Sequence, residues 1–135
     1  MLKIIIGVKG TGKTKSLISL VNEAVEKSHG DVVCIEKGVK LRYDIKYRAR
    51  LIDTNEYFVD DAQSLYGFVA GILASNHDVT DLFIDSSLKI CNDNYEDFDK
   101  FVKEIAEISE KVGINVVMTA SMPSENASDI VKKYL

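Results

Sequence analysis

The sequence predicts an α/β protein with three layers, in which a mainly parallel sheet of about four to five strands lies between two layers of helices. Three observations predict this fold. Short apolar runs alternate along the chain with longer segments whose apolar residues recur at helical spacing. The apolar runs end in glycine or polar residues, as buried parallel strands do. The length of 135 residues fits one domain, which we expect to span residues 1–135.

The first unit is a strand, a glycine-rich loop and a helix. Residues 2–8 form a short apolar run rich in isoleucine, which is typical of a strand buried on both faces. After the loop, apolar residues return at helical spacing as far as the turn at His29 and Gly30. They are Leu17, Leu20, Val21, Ala24 and Val25.

Residues 32–35 predict a second buried strand, and the pattern that follows has a period of two. One set of alternating residues is mostly apolar: Leu41, Tyr43, Ile45, Tyr47, Ala49 and Leu51. The residues between them are charged: Arg42, Asp44, Lys46, Arg48 and Arg50. This alternation predicts an amphipathic strand or hairpin at a sheet edge, with a basic exposed face.

The remaining elements complete two further units of helix and strand. Asp60 or Asp61 can cap a helix, with Gln63 three residues after Asp60 in a capping-box arrangement. Residues 82–84 predict a third strand that ends in Asp85, and a long helix follows that Gly113 ends. Residues 114–118 predict a fourth strand, followed by a loop with the only proline and a short C-terminal helix.

Chemistry is expected at one edge of this sheet. In open parallel sheets, ligands bind beyond the carboxyl ends of the strands. Gly7, Glu36, Asp85 and Thr119 all fall at such ends.

The loop from Gly7 to Thr14 matches the pattern G-x-x-x-x-G-K-[ST] in full, and it lies between a predicted strand and a predicted helix. Its glycines allow a tight turn that aims consecutive N–H groups inward, and the helix N-terminus adds partial positive charge. The sequence therefore predicts a site for the phosphates of a nucleoside triphosphate. The expected binding residues are Gly7, Val8, Lys9, Gly10, Thr11, Gly12, Lys13, Thr14 and Lys15.

A magnesium ion is expected beside the phosphates. Lys13 would reach the β- and γ-phosphate oxygens, and the hydroxyl of Thr14 would bind Mg²⁺. Asp85 is the expected carboxylate for the magnesium shell, because it ends a buried strand. The alternative is Asp60, whose preceding segment is too polar for a central strand.

These motifs resemble the P-loop NTPases, and within them the RecA-like branch. Residues 33–36 look like that branch's second strand, which ends in a glutamate that polarises water, and residues 82–86 are similar to its Walker B strand ending in Asp-Ser. The resemblance implies that Glu36 is a general base and that Lys13 takes part in catalysis. It also implies that Thr119 and Ser121 sense the γ-phosphate. The alternatives are a solvated glutamate and hydroxyls that satisfy a loop backbone.

The resemblance also bears on partners. The family's core normally has a fifth strand, and a shorter core would need a protein partner or a second copy of the chain to complete its site. The basic row from Arg42 to Arg50 could supply an arginine to a neighbouring subunit or contact an acidic partner. The alternative is a solvated row that protects a sheet edge from aggregation.

Charge and hydropathy limit the remaining function classes. The net charge of −4 gives no general attraction to nucleic acid or anionic lipid, so nucleic-acid binding is not supported beyond the basic row. No apolar stretch approaches the roughly 20 residues that span a bilayer, so a cytoplasmic protein without a membrane segment is expected.

Three functions remain open at this stage. The first is a magnesium-dependent ATPase that drives a change in a partner or assembly. The second is a nucleotide-binding regulatory module without hydrolysis. The third is a small-molecule phosphotransferase, which would need an acceptor pocket near the γ-phosphate. No guanine-reading Asn-Lys-x-Asp motif is present, which favours ATP over GTP.

Overall fold

The computed structural model describes all 135 residues and contains one sheet of five parallel strands. The strands are β1 (Leu2–Gly7), β2 (Asp31–Glu36), β3 (Arg50–Asp53), β4 (Val79–Ile84) and β5 (Asn115–Ser121). Their order across the sheet is β1-β5-β4-β2-β3, and every neighbouring pair is parallel. β1 and β2 are therefore separated by β5 and β4, and β1 and β3 lie at the two edges.

The chain has five α-helices, of which the last follows β5: α1 (Lys13–Lys27), α2 (Ala62–Ser75), α3 (Ser87–Ile90), α4 (Tyr95–Val112) and α5 (Asp129–Lys132). Two short 3₁₀ helices span Thr54–Tyr57 and Ser124–Asn126. Helices pack on both faces of the sheet, which confirms the predicted three-layer α/β fold. No helix combines the length and the apolar character that crossing a bilayer demands.

The core lies on both faces of the sheet because successive side chains of a strand point to opposite sides. On one face, Val32 and Cys34 of β2 pack in a cluster with the buried stripe of α1. On the other face, Val33 and Ile35 join the larger cluster that includes the buried residues of α2 and α4. A strand that is buried on both faces needs a continuous apolar run, and residues 32–35 of β2 form such a run.

The predicted amphipathic strand over residues 41–51 is wrong for most of its length. Residues 37–49 form a series of turns, and only Arg50–Asp53 makes a strand, which pairs with β2 at the sheet edge. The buried residues of the turns are Leu41, Ile45 and Ala49, which pack in the cluster that α1 forms. Burial at every fourth position places both tyrosines of the alternating set, Tyr43 and Tyr47, in solvent.

Two hydrogen bonds to helix α1 hold this turn segment in place. The side chain of Asn22 donates to the carbonyl of Asp44 at 2.9 Å and accepts from the backbone N–H of Lys46 at 2.9 Å. An ion pair joins Lys46 to Glu26. The segment thus covers the sheet beside α1 without a regular element, because side-chain bonds satisfy backbone groups that a ladder would otherwise pair.

The helix ends follow local chemistry with one difference from expectation. Asp61, not Asp60, caps α2: its side chain accepts from the N–H of Ser64 at 2.7 Å, and Ser64 rather than Gln63 completes the capping box. The serine hydroxyl accepts from the Asp61 N–H, a geometry that its short side chain reaches. Gly113 ends α4 in the left-handed conformation, as predicted.

Candidate nucleotide site

The parallel register brings the carboxyl ends of all five strands to the same edge of the sheet. Gly7 of β1 lies beside Ser121 of β5, and Glu36 of β2 lies beside Asp53 of β3. Asp85 directly follows β4, and its N–H still donates to the carbonyl of Ile35 at 2.8 Å. The side chains that the sequence singled out are therefore brought to one edge by strand pairing.

The loop after β1 wraps back over its own start. Thr11 donates its hydroxyl to the carbonyl of Val8 at 2.7 Å. A Cβ added at Gly7 would lie 2.5 Å from that same hydroxyl oxygen, so the position of the Thr11 side chain leaves no room for a larger residue there. The loop from Gly7 to Thr14 thus adopts a tight turn, as its glycine-rich sequence predicts.

Helix α1 begins without a side-chain cap. Gly12, in the left-handed conformation at φ 84°, occupies the N-cap position, and the first turn holds no acidic residue. The first N–H groups of any α-helix have no partner within the helix, and here no side chain at the N-cap accepts from them. Together with the helix dipole, they favour an anion at this point.

Lys13 is buried without a charged partner. Lys13 is 9% exposed as a residue. Its Nζ donates to the carbonyl of Val8 at 3.0 Å. The chain's ion pairs are Lys27 with Glu23 and Lys46 with Glu26, so no carboxylate pairs with Lys13. An ammonium whose hydrogen-bond partner is a neutral carbonyl is poorly compensated, and an anion in the loop would stabilise it.

Asp85 lies in a small hydrogen-bonded cluster of hydroxyls. The hydroxyl of Thr119 donates to Asp85 Oδ1 at 2.7 Å and accepts from the N–H of Ser86 at 2.8 Å. The hydroxyl of Thr14 lies 3.3 Å from the same Oδ1. These contacts fix the orientation of the Asp85 carboxylate beside the first turn of α1, and the residue is only 8% exposed.

The two residues expected to sense the γ-phosphate lie in different surroundings. Thr119 is buried, and its hydroxyl is used up in holding Asp85 and Ser86. Ser121 is exposed at the end of β5, next to the glycine-rich loop, where Met122 donates its N–H to the carbonyl of Gly7 at 3.1 Å. Thr119 therefore orients the carboxylate of Asp85, and both Thr119 and Ser121 line the cleft at the end of β5.

Glu36 is buried rather than solvated, at 2% exposed. Its two carboxylate oxygens accept from the backbone N–H groups of Lys40 and Leu41, each at 3.1 Å. Burial raises the pKa of Glu36 above its usual value, the two backbone hydrogen bonds lower it in part, and the negative charge of Asp85 raises it further. The glutamate thus anchors the start of the turn segment that follows β2.

Glu36 predicts a pH-dependent contribution to stability. Because its pKa is raised in the folded state, the folded protein favours the protonated carboxyl, and this contribution is lost as pH rises through the folded pKa. Glu36→Gln stays neutral at every pH. We expect the melting temperature of the variant minus that of the wild type to increase from pH 4.5 to pH 7, measured by thermal unfolding. A difference that stays constant with pH would contradict a raised pKa.

The cleft above these residues has a volume of about 420 Å³, within the range of ligand pockets. Its lining contains a single hydrophobic residue. Sequence reasoning missed four charged lining residues: Lys37, Lys40, Lys89 and Asp93. Lys37 and Lys40 follow Glu36 closely, so their position just beyond a strand end was the available signal. None of the three arginines lines this cleft, and Asp60, the alternative magnesium carboxylate, does not line it either.

Comparison with known proteins places the fold. No family model and no curated protein matches the sequence. Among solved structures, a KaiC-like protein of the hyperthermophilic archaeon Pyrococcus horikoshii superposes with a TM-score of 0.69 over 98% of this chain at 13% sequence identity. The chain covers 66% of that protein's length. The chain is thus an α/β protein whose five-stranded parallel sheet matches the RecA-like fold of this KaiC-like protein.

Proposed function

We propose that the chain binds a nucleoside triphosphate with magnesium, ATP first among them, in the cleft between the glycine-rich loop, Glu36 and Asp85. The observation that carries the proposal is Lys13, a buried ammonium whose only hydrogen-bond partner is a backbone carbonyl. The uncapped start of α1 lies directly beside it. Both features favour a polyanion at the same point.

The charged residues that line the cleft suit the triphosphate group of a nucleotide. Six lysines and three carboxylates line the cleft, and only one hydrophobic residue is available to contact a nucleobase. The lysines are Lys9, Lys13, Lys15, Lys37, Lys40 and Lys89. A local excess of positive charge in a chain of net charge −4 suits a triphosphate better than a neutral ligand.

The oxygen donors fit magnesium. Thr14 and Asp85 present a hydroxyl and a carboxylate 3.3 Å apart, and Mg²⁺ prefers oxygen ligands from one or two protein groups, with phosphate and water as the rest. The chain holds no group of three or more His, Cys, Asp or Glu residues able to bind a metal alone, so phosphate oxygens and water would supply the remaining ligands. Bound magnesium would neutralise charge on the phosphates. Thr119 keeps Asp85 oriented toward it.

We further propose that the chain hydrolyses the bound nucleotide slowly, with Glu36 as the general base, and so drives a change in a partner or assembly. Glu36 ends β2 beside Asp85 and lines the cleft. Its raised pKa suits a base that takes a proton from water. To do so, at least one of its oxygens must leave the N–H of Lys40 or Leu41. This rearrangement is a reason to expect slow turnover.

Phosphate release tests the hydrolytic role. Removing a general base costs about 100-fold or more in rate, so Glu36→Gln should release phosphate from MgATP about 100-fold more slowly than the wild type. Glu125→Gln, which changes an exposed glutamate outside the cleft, should leave the rate unchanged. Equal rates for the wild type and Glu36→Gln would rule out Glu36 as the base.

A binding module without turnover is the second candidate, and one observation favours it. Both oxygens of Glu36 are held by the turn segment, so a nucleotide that attracts a water or cation toward Glu36 would loosen that segment without any hydrolysis. Hydrogen exchange at the amides of Lys40 and Leu41 separates the candidates. A module predicts faster exchange with MgATP and no phosphate release, whereas the ATPase predicts both.

A further inference from the structure

Residues 37–50, the turn segment together with the first residue of β3, form a stretch that concentrates the positive charge of the chain. It holds six of the 17 Lys and Arg residues but only one of the 21 Asp and Glu residues, so its net charge is +5 and the rest of the chain carries −9. All three arginines of the chain, Arg42, Arg48 and Arg50, lie in it. The total charge of −4, which gave no support for nucleic-acid binding, hides this asymmetry.

A groove of about 400 Å³ runs along the segment beside the edge strand β3. The three arginines, Lys46 and Tyr47 line it, and no carboxylate does. This groove is separate from the nucleotide cleft, with which it shares no lining residue. Lys46 pairs with Glu26, but none of the three arginines forms an ion pair, and such cations favour an anionic occupant.

The aromatic residues indicate which anion fits. Tyr43 is 89% exposed and Tyr47 is 96% exposed, and the Arg42 guanidinium lies 5.4 Å from the centre of the Tyr43 ring. Charged edge protection needs no exposed rings. The face of an aromatic ring is electronegative and repels carboxylates, which disfavours an acidic peptide, whereas nucleobases stack on such faces. Arginine binds phosphate with a rigid fork of donors and also stacks on bases.

The rings and cations are displayed on a fixed support. Leu41, Ile45 and Ala49 are buried between the exposed residues, and Asn22 of α1 clamps the segment through two hydrogen bonds. A surface that is already ordered loses little conformational entropy on binding. We propose that this groove, lined by Arg42, Lys46, Tyr47, Arg48 and Arg50 with Tyr43 beside it, binds single-stranded nucleic acid through phosphate contacts and base stacking.

Fluorescence anisotropy with a labelled oligothymidylate of about 16 nucleotides tests the proposal on the full chain. With three phosphate contacts, one for each arginine, the logarithm of the association constant should fall against the logarithm of salt with a slope of about −2, at about 0.7 per contact. Arg48→Ala/Arg50→Ala should reduce the slope to about −0.7. Lys132→Ala/Lys133→Ala removes the same charge from exposed positions elsewhere and should keep the wild-type slope.

Stacking has its own test. Tyr43→Ala/Tyr47→Ala should weaken binding about fivefold to 100-fold, and Tyr43→Phe/Tyr47→Phe should bind as the wild type does, because the ring is kept. Thermal unfolding checks that each variant folds, and we expect wild-type melting temperatures because the replaced side chains are exposed. The proposal is overturned if the wild type binds the oligonucleotide no more tightly than Arg48→Ala/Arg50→Ala does, or if Tyr43→Ala/Tyr47→Ala binds it as tightly as the wild type. It is also overturned if polyglutamate or inorganic polyphosphate competes as well as unlabelled oligonucleotide, which would indicate an acidic partner or a plain anion surface.

Discussion

Lys13→Ala is expected to weaken MgATP binding by about 100-fold or more in isothermal titration calorimetry. In the proposed complex, Nζ leaves the carbonyl of Val8 and donates to phosphate oxygens. A hydrogen bond to a charged group contributes about 1.5–3 kcal/mol, and two such bonds correspond to about 3 kcal/mol or more, which is at least 100-fold in Kd. The loss should be in affinity, because the residue contacts the ligand directly.

Stability provides a control for this variant. Lys13 is buried without an ion-pair partner, so its replacement removes an uncompensated charge, and the ligand-free variant should unfold at the wild-type temperature or above it. Lys3→Ala removes an equal charge from an exposed position near the start of β1, far along the strand from the loop, and should retain affinity. If Lys13→Ala binds MgATP as tightly as Lys3→Ala does, the assignment of the phosphate site is wrong.

Asp85→Asn is expected to remove most of the magnesium dependence of binding and to slow phosphate release by about 100-fold or more, if the chain hydrolyses ATP. The amide keeps the shape and can still accept from Thr119, but it loses the negative charge that faces Thr14. Losing one preorganised electrostatic group typically costs about 100-fold to 1000-fold in rate. Affinities for ATP with magnesium and with a chelator, compared between variant and wild type, measure the first effect.

Asp60→Asn is the matched control, since it makes the same chemical change at the carboxylate that sequence alone left as an alternative. Asp60 is exposed before α2 and does not line the cleft, so this variant should keep both the magnesium dependence and the rate. Loss of magnesium dependence in Asp60→Asn with retention in Asp85→Asn would reverse the two assignments.

The parts of the fold that sequence could predict are those where one local rule decides the outcome. β2, β4 and β5 lie inside the sheet or are largely buried, and β1 at the edge is apolar apart from the exposed Lys3, so apolar runs predict all four strands, although each differs at its ends by one to three residues. Strand ends then predict which side chains meet, because parallel strands place their carboxyl ends at one edge. Glu36 and Asp85 come together for that reason.

The segment after β2 shows why the rest could not be predicted. Its alternation of apolar and charged residues has the period of a strand, but tertiary contacts with α1 select every fourth residue for burial instead. Likewise, nothing in the sequence indicated that Glu36 would accept from Lys40 and Leu41, since that bond depends on the turn the segment adopts. The charge asymmetry was readable, whereas the exposure of Tyr43 and Tyr47 required the fold.

A crystal structure of the wild-type chain with magnesium and a non-hydrolysable ATP analogue tests the central claim most directly. The claim predicts the β-phosphate within the loop from Gly7 to Thr14, with Lys13 Nζ on phosphate oxygens rather than on the carbonyl of Val8. It also predicts magnesium beside Thr14 and Asp85. An analogue bound elsewhere on the chain, or no analogue in the loop at concentrations that saturate the protein in calorimetry, would contradict it.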